Sequence, residues 1–225
     1  MTGVRAARPL RLAHRGDWRG APENTIAALL AALEIPGCDG LEFDVRATAD
    51  NVPVLLHDET LQRVQRVRRR LDTMPAREAE GLGIPTLEAA LAALPGGAFL
   101  DIEFKEDVAA AAVPLLEAAR GPKLQNAVIS SFHADQLVAV ARRRPGWKRW
   151  LNALNLEPAT IATAREVGCS GVSVQWRGID PRGLERAARA HLEVAAWTVR
   201  RRATFDRLAG LGVIAVCVEG AALDG

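Results

Sequence analysis

Two segments of the sequence place carboxylates at alternate positions of an apolar run. In the first, Glu42 and Asp44 alternate with Leu41, Phe43 and Val45. Successive side chains of a β-strand point to opposite faces, so the two carboxylates would share one face and the apolar side chains the other. Unpaired carboxylates are costly to bury, and a hard divalent cation commonly stabilises them. This face therefore predicts a metal site, the alternative being a cluster paired with arginines.

The second segment repeats the arrangement over residues 99–105. Asp101, Glu103 and Lys105 fall on one face of a strand that is otherwise apolar. The lysine is informative because only three of the 29 basic residues are lysines. A compact ammonium group is suited to a phosphate oxygen. The alternative for Lys105 is a structural ion pair with one of its two acidic neighbours.

Two of the four histidines, His14 and His57, directly follow apolar, strand-like runs. Parallel α/β barrels carry their chemistry at that end of the strands, so the position supports a functional role. The alternative for His14 is a buried, hydrogen-bonded histidine. Arg15 and Gly16 follow His14, and the segment 22–25 then has the composition of a helix start. Within that segment Asn24 is expected to cap the helix.

Short β-rich runs alternate with longer helical segments along the chain, which is typical of repeated βα units. Strands are predicted near 10–13, 41–45, 54–57, 99–103, 127–130, 149–153, 171–174, 194–199 and 213–218. Helices are predicted near 25–33, 86–93, 108–119, 134–143, 158–167, 181–191 and 203–211.

Nine strands exceed the eight of a closed barrel by one. Only eight residues separate Val45 from Val54, too few for a crossover between parallel neighbours, so one strand of that pair is predicted to be an accessory or hairpin strand. No glycine-rich dinucleotide motif follows the first strand, which disfavours a doubly wound sheet. We therefore predict an α/β fold of the (β/α)8 TIM-barrel type, with residues 59–84 as a short excursion after the second histidine.

The composition indicates one globular domain over residues 1–225. The chain is 49% hydrophobic and 25% charged, and its net charge is +2. Its arginines are interleaved with acidic residues, so no nucleic-acid partner is expected. Three widely spaced cysteines and an N-terminal segment, 1–12, without a signal-like apolar run predict a reducing, cytoplasmic location. No stretch is apolar enough to span a membrane, and no stable membrane association is expected.

Taken in order, these residues resemble the motifs of the glycerophosphodiester phosphodiesterase family. The resemblance covers nearly the whole chain and is closest to the compact bacterial members. Its motifs are His14–Gly16, Pro22–Thr25, Gly40–Val45, Thr48, Asp50, Val54, His57–Asp58, Ile84–Leu87, Glu103, Lys105, Ser131–Phe132 and Trp197–Val199.

The resemblance implies a (β/α)8 barrel that hydrolyses a small-molecule glycerophosphodiester to glycerol 3-phosphate and an alcohol. It implies Glu42, Asp44 and Glu103 as ligands of a divalent metal, Mg²⁺ or Ca²⁺, and His14 and His57 as the acid–base pair. It further implies a substrate-binding set of Arg15, Lys105 and Trp197. We take His14 as the base and His57 as the acid, with Trp197 packing against the glycerol.

The sequence departs from the family pattern near its C-terminus. Arg200 stands where the family usually has Asn, and Val218 and Glu219 stand in place of a Thr-Asp pair. A non-catalytic phosphate-binding barrel is therefore one alternative. A lysophospholipase D-type enzyme is another, and it would need an exposed apolar or amphipathic membrane-contacting segment. A glycosidase would use two carboxylates and have little need for paired histidines or Lys105.

Overall fold

Eight parallel strands close into a barrel in the computed structural model, which describes residues 8–225. Residues 1–7, part of the N-terminal segment in which no signal is expected, lie outside the described residues. The sheet order is β1-β9-β8-β7-β6-β5-β4-β2-β3, and an additional parallel pairing of β1 with β2 closes the barrel. The strands are β1 (Leu10–His14), β2 (Gly40–Ala47), β3 (Pro53–Leu55), β4 (Phe99–Phe104), β5 (Ala127–Ser131), β6 (Arg149–Ala153), β7 (Gly171–Gln175), β8 (Glu193–Val199) and β9 (Ala215–Val218). The predicted TIM barrel is confirmed.

The surplus strand is β3. It pairs antiparallel with the end of β2, with Val45 opposite Leu55, and it is not one of the eight strands of the closed barrel. The hairpin predicted from the short spacing is therefore present. His57 lies just beyond β3, and Leu56 donates its backbone N–H to the carbonyl of Asp44, which holds the hairpin against the mouth of the barrel.

Helices follow the barrel strands on the outside. They are α1 (Ile26–Leu33), α2 (Ala76–Gly81), α3 (Leu87–Ala93), α4 (Ala109–Arg120), α5 (Ala134–Arg143), α6 (Pro158–Glu166), α7 (Pro181–Arg189) and α8 (Arg202–Gly210). All seven predicted helices occur. The excursion 59–84 is more ordered than its polar sequence indicates, because it also contains α2 and a 3-10 turn at Leu71–Thr73. Buried Leu61, Leu71 and Met74 of the excursion form a small apolar cluster with Val54 and Leu56 of the preceding hairpin.

The alternation in β2 and β4 divides apolar from charged side chains as predicted. Leu41, Phe43 and Val45 belong to the main core, which also contains buried side chains of the surrounding helices. Glu42 and Glu103 line a cavity inside the barrel mouth. A smaller apolar cluster is formed by residues of the barrel strands, among them Leu12, Val128, Trp150 and Ala195. β2 and β4 thus carry the carboxylates on one face, and the packing of their other face in the main core holds both strands in place.

The loop between β1 and α1 corrects one expectation. Thr25, not Asn24, caps α1, because the Thr25 hydroxyl accepts from the backbone N–H of Ala28. Asn24 has a positive φ of 57° and is buried, and its side chain turns to Asp44. Because the Thr25 hydroxyl caps the helix, the Asn24 side-chain amide is available to donate to Asp44.

The described helices include none that is long and apolar enough to cross a membrane. Cys38, Cys169 and Cys217 are all free thiols in the structure. Burial raises the pKa of the Cys217 thiol well above its usual range, so it stays protonated inside the barrel.

Gly16 lets the loop that follows His14 approach α1. Its φ is +84°, and a Cβ built on it would stand 2.5 Å from the backbone carbon of Ala28. We expect Gly16→Ala to lower the free energy of unfolding by at least about 2 kcal/mol, because the left-handed backbone and the backbone overlap both cost energy. Gly20→Ala is the matched control in the same loop, since nothing lies within 4 Å of its added Cβ. Urea unfolding of both variants measures the difference, and equal stabilities would contradict this account.

Candidate active site

The sequence-predicted site residues meet around one cavity at the carboxyl ends of the barrel strands. The cavity has a volume of about 220 Å³. It is lined by His14, Arg15, Glu42, His57, Glu103, Lys105 and Trp197, together with Asp101, Ser130, Phe132, Asn152, Ser173, Thr198 and Cys217. Asp44 lies fully buried behind this wall. The fold therefore brings together every residue that the sequence singled out for chemistry.

Two cations face the buried carboxylates. Arg15 Nε lies 3.1 Å from Asp44 Oδ2. Lys105 Nζ lies 2.7 Å from Glu103 Oε1 and 3.4 Å from Asp44 Oδ1. Asn24 donates from Nδ2 to Asp44 Oδ2 at 2.9 Å. The structural ion pair considered for Lys105 is thus present, and the same ammonium group also borders the cavity.

Burial and mutual repulsion separate the acidities of these carboxyl groups. Burial raises the pKa of Glu42 well above its usual range, and the charge of Asp44 adds to that rise. Burial also favours the neutral form of Asp44, but Arg15 and Lys105 outweigh it and lower the pKa of Asp44 to about 2. Burial raises the pKa of Asp101 to about 7. Asp44 is therefore the fixed negative charge, and its neighbours need a further cation to ionise fully.

A divalent cation fits this donor set. One ligand oxygen each from Glu42, Asp44 and Glu103 can be chosen so that all three lie within 4.8 Å of one another. Glu42 Oε2 and Asp44 Oδ1 are buried without a hydrogen-bond partner. Buried acceptors without partners are costly, and an all-oxygen set is what Mg²⁺ and Ca²⁺ prefer. These three residues would hold the ion, with Arg15 and Lys105 beside it.

Each cavity histidine is held by a carboxylate through the same ring atom. His14 Nδ1 donates to Glu219 Oε1 at 2.5 Å, and His57 Nδ1 donates to Asp58 Oδ1 at 2.7 Å. Both rings are therefore left with Nε2 for proton transfer. Burial lowers the pKa of His57, which keeps that ring neutral near pH 7 before an anion binds.

Glu219 is one of the two departures from the family pattern, and it contacts the other. Burial alone would raise the pKa of Glu219, but its hydrogen bond with His14 and the nearby Arg200 lower it to about 2. Arg200 Nε donates to Glu219 Oε2 at 2.7 Å. The two departures are thus physically linked, and together they supply an ionised carboxylate to His14.

Comparison with known proteins agrees with the geometry. A sequence model of the glycerophosphoryl diester phosphodiesterase family matches residues 14–221. The chain belongs to this family of phosphoric diester hydrolases.

Relatives with this family's fold span nearly the whole chain. A glycerophosphodiester phosphodiesterase of Caldanaerobacter subterraneus subsp. tengcongensis is 29% identical, and the match covers 93% of each chain. A phosphodiesterase structure from Oleispira antarctica, in complex with the product sn-glycerol-3-phosphate, is 26% identical with a TM-score of 0.83 over 94% of this chain and 93% of its own. A glycerophosphodiester phosphodiesterase structure from Agrobacterium tumefaciens is 25% identical with a TM-score of 0.82, covering 96% of this chain and 98% of its own.

Within this glycerophosphodiester phosphodiesterase fold, the aromatic side of the cavity is formed by Trp197 and Phe132. Their rings meet edge to face with centroids 5.4 Å apart. Trp197 Nε1 donates to the Ser173 carbonyl at 2.9 Å, which fixes the indole. The carboxylate side and the aromatic side thus form two walls of different chemistry.

Arg63 is a site residue that sequence reasoning missed. Its guanidinium donates to Asp58 Oδ2 at 2.6 Å and to both oxygens of Glu23, at 2.8 and 2.6 Å. Glu23 in turn accepts from Arg15 at 2.9 Å. One side chain of the excursion therefore ties together the carboxylate partners of His57 and Arg15. Several arginines follow within residues 63–70, and no local spacing distinguishes this one.

A chelator-treated sample tests the metal site directly. We expect Mg²⁺ or Ca²⁺ to raise the melting temperature of the metal-free protein, because an ion that binds only the folded state stabilises it. Glu42→Gln should weaken that binding by at least about 100-fold, since it removes a ligand rather than an outer partner. Isothermal titration calorimetry of metal into each variant measures the change.

The matched control for that titration is Asp101→Asn. Asp101 is equally buried and lies on the neighbouring strand, but its oxygens are not in the three-residue ligand set. Its substitution should change metal affinity less than about tenfold. Equal losses in both variants would mean that the ion responds to total negative charge and not to this ligand set.

Proposed function

We propose that this protein hydrolyses glycerophosphodiesters to glycerol 3-phosphate and an alcohol, with a divalent metal and two histidines. The observation that carries the proposal is the pair of cavity histidines, each with Nδ1 bonded to a carboxylate, facing Arg15 and Lys105 across one cavity. A binding-only barrel has no need for two rings that both present Nε2. Membership of the family supports the same reaction.

Arg15 and Lys105 bind the phosphate oxygens of the substrate. Both side chains border the cavity and are already held in place by Asp44 and Glu103, so little order is lost when the phosphate arrives. Their charges also stabilise the negative charge that accumulates on phosphorus oxygens in the transition state. A metal held by Glu42, Asp44 and Glu103 would supply additional Lewis-acid stabilisation of that charge.

His14 acts as the general base. Its Nδ1 proton is engaged by Glu219, so the lone pair of Nε2 is available to take the proton of the attacking hydroxyl, from water or from the glycerol of the substrate. Glu219 then faces the imidazolium that forms and stabilises its positive charge.

His57 acts as the general acid. The free ring is neutral because burial lowers its pKa, and the charge of an arriving phosphate raises that pKa again. The ring then carries a proton on Nε2 that it donates to the departing alcohol oxygen. Asp58 holds Nδ1 during this step, and Arg63 holds Asp58.

Release of glycerol 3-phosphate from glycerophosphocholine and glycerophosphoethanolamine, with Mg²⁺, Ca²⁺ or a chelator, is the primary test. We expect metal-dependent release that the chelator abolishes, because the carboxylates bind phosphate poorly without a cation. Lysophosphatidylcholine is the comparison substrate for the lipid alternative. Faster cleavage of the lysolipid would favour that alternative, and no release from any diester by folded protein would favour a barrel that binds without cleaving.

Substitution of His57 separates the acid from the base. We expect His57→Ala to lower kcat by roughly 10²- to 10⁴-fold on glycerophosphocholine, whose alcohol needs a proton to leave. The loss should be much smaller on the p-nitrophenyl ester of glycerol 3-phosphate, because nitrophenolate leaves unprotonated. His14→Ala, in contrast, should slow both substrates alike. A His57→Ala loss that is the same for both leaving groups would remove His57 from the acid role.

A further inference from the structure

A second cavity opens beside the catalytic one at the ends of β7 and β8. Its volume is about 440 Å³, and Trp197 and Thr198 line both cavities. The catalytic cavity alone, at about 220 Å³, is smaller than the about 300–1,000 Å³ usual for small-molecule sites. The second cavity, which shares Trp197 and Thr198 with the first, offers adjoining space for the rest of a diester.

The second cavity is positively charged. Three arginines line it, Arg177, Arg200 and Arg201, and none of its lining residues is acidic. Arg200 is paired with Glu219. Among the described residues, neither Arg177 nor Arg201 has a carboxylate oxygen within 4.0 Å, whereas Arg63 and Arg70 each have two carboxylate partners. Unneutralised guanidinium groups beside a catalytic cavity are suited to an anion.

The indole of Trp176 holds one of these charges in place. The Arg177 guanidinium lies 4.3 Å from the centroid of the Trp176 ring, and Trp176 is itself packed against the main core. Stacking on an indole holds the planar group while leaving its N–H edges free to donate. Thr198, Thr204 and Gln175 add uncharged hydrogen-bonding side chains to the same cavity.

We propose, on the basis of the proposed phosphodiesterase function, that this cavity binds the second alcohol of the diester and selects an alcohol that carries its own anionic group, a phosphate or a carboxylate. Arg177 and Arg201 bind that group, and Trp197 lies between it and the glycerol phosphate in the catalytic cavity. A quaternary ammonium head group in the same place would face three arginines with no carboxylate among the lining residues.

The test compares two diesters that differ in the charge of the alcohol. We expect kcat/KM for glycerophosphoinositol 4-phosphate to exceed that for glycerophosphocholine by at least about tenfold at low salt. Arg177→Gln and Arg201→Gln should each lower this ratio by about five- to tenfold, as expected for the loss of one charged partner of a phosphate. Raising the salt concentration should lower the ratio in the wild type, because exposed charges are screened.

Arg182→Gln is the matched control. It makes the same charge change on α7 at an exposed position that lines neither cavity, so the ratio should stay as in the wild type. Melting temperatures verify that all three variants fold. A wild-type ratio near one, or a ratio that falls equally in Arg182→Gln, would overturn the proposal.

A binding measurement keeps this inference separate from the catalytic one. Calorimetry with both diesters is done on the His57→Ala variant, in which turnover is expected to be roughly 10²- to 10⁴-fold slower, so that the diesters stay intact. Tighter binding of the anionic diester that is lost on adding Arg177→Gln supports selective binding in the second cavity. This holds even if the wild type cleaves neither substrate, because the absence of cleavage would reject only the proposed function. Equal binding of the two diesters rejects the selective cavity even if both are cleaved. A third outcome is that the protein cosediments with phosphatidylglycerol vesicles and that Arg177→Gln abolishes this. The cavity would then bind an anionic lipid surface and not a soluble diester, which would also overturn the proposal.

Discussion

The negative charge buried inside the barrel mouth is the constraint on which the rest of the site depends. Glu42, Asp44, Asp101 and Glu103 share a small volume that is almost closed to solvent. Like charges so close cannot all ionise without cations beside them. Every cation of the site, the two side chains and the expected metal alike, is explained by this one electrostatic requirement, and the same cations are what a phosphodiester needs.

The same electrostatic requirement links residues farther from the barrel mouth, because successive ion pairs share a residue. Arg15 serves Asp44 inside the barrel and Glu23 in the first loop, and Arg63 then joins Glu23 to Asp58. The position of His57 is thereby linked to the charge balance at the centre through a chain of ion pairs. The excursion 59–84, which has its own apolar cluster, is the support from which Arg63 reaches the mouth.

The other histidine, His14, is held by residues near the C-terminal end of the sequence. Glu219 follows the last strand and Arg200 follows β8, so the two departures from the family pattern act on the same ring. Arg200 also borders the second cavity, so one residue that holds Glu219 against His14 lines the same space as the residues proposed to select the alcohol. The glutamate places an ionised carboxylate beside His14, and the arginine adds a positive charge to the edge of the second cavity.

Periodicity in the sequence determined the strands, the seven helices between them and the inward direction of Glu42, Asp44, Glu103 and Lys105. These features depend on alternation along one segment, and local spacing records it directly. Two local details were still wrong or missing, the helix cap at Thr25 and the helix α2. In both, the decisive contact is with a residue outside the segment, Asp44 for Asn24 and the small core of the excursion for α2.

Only the tertiary structure decided which of many arginines and acids act together. The ion pairs of Arg63 with Glu23 and of Glu219 with His14 join residues 40 and 205 positions apart. No periodicity links positions so distant, because their meeting depends on how the barrel closes and where the loops return. The second cavity has the same origin, since it exists only when the ends of β7 and β8 stand side by side. The sequence by itself therefore determined the strands and the charged side chains that they direct inward, and the closed barrel determined the partners of those side chains.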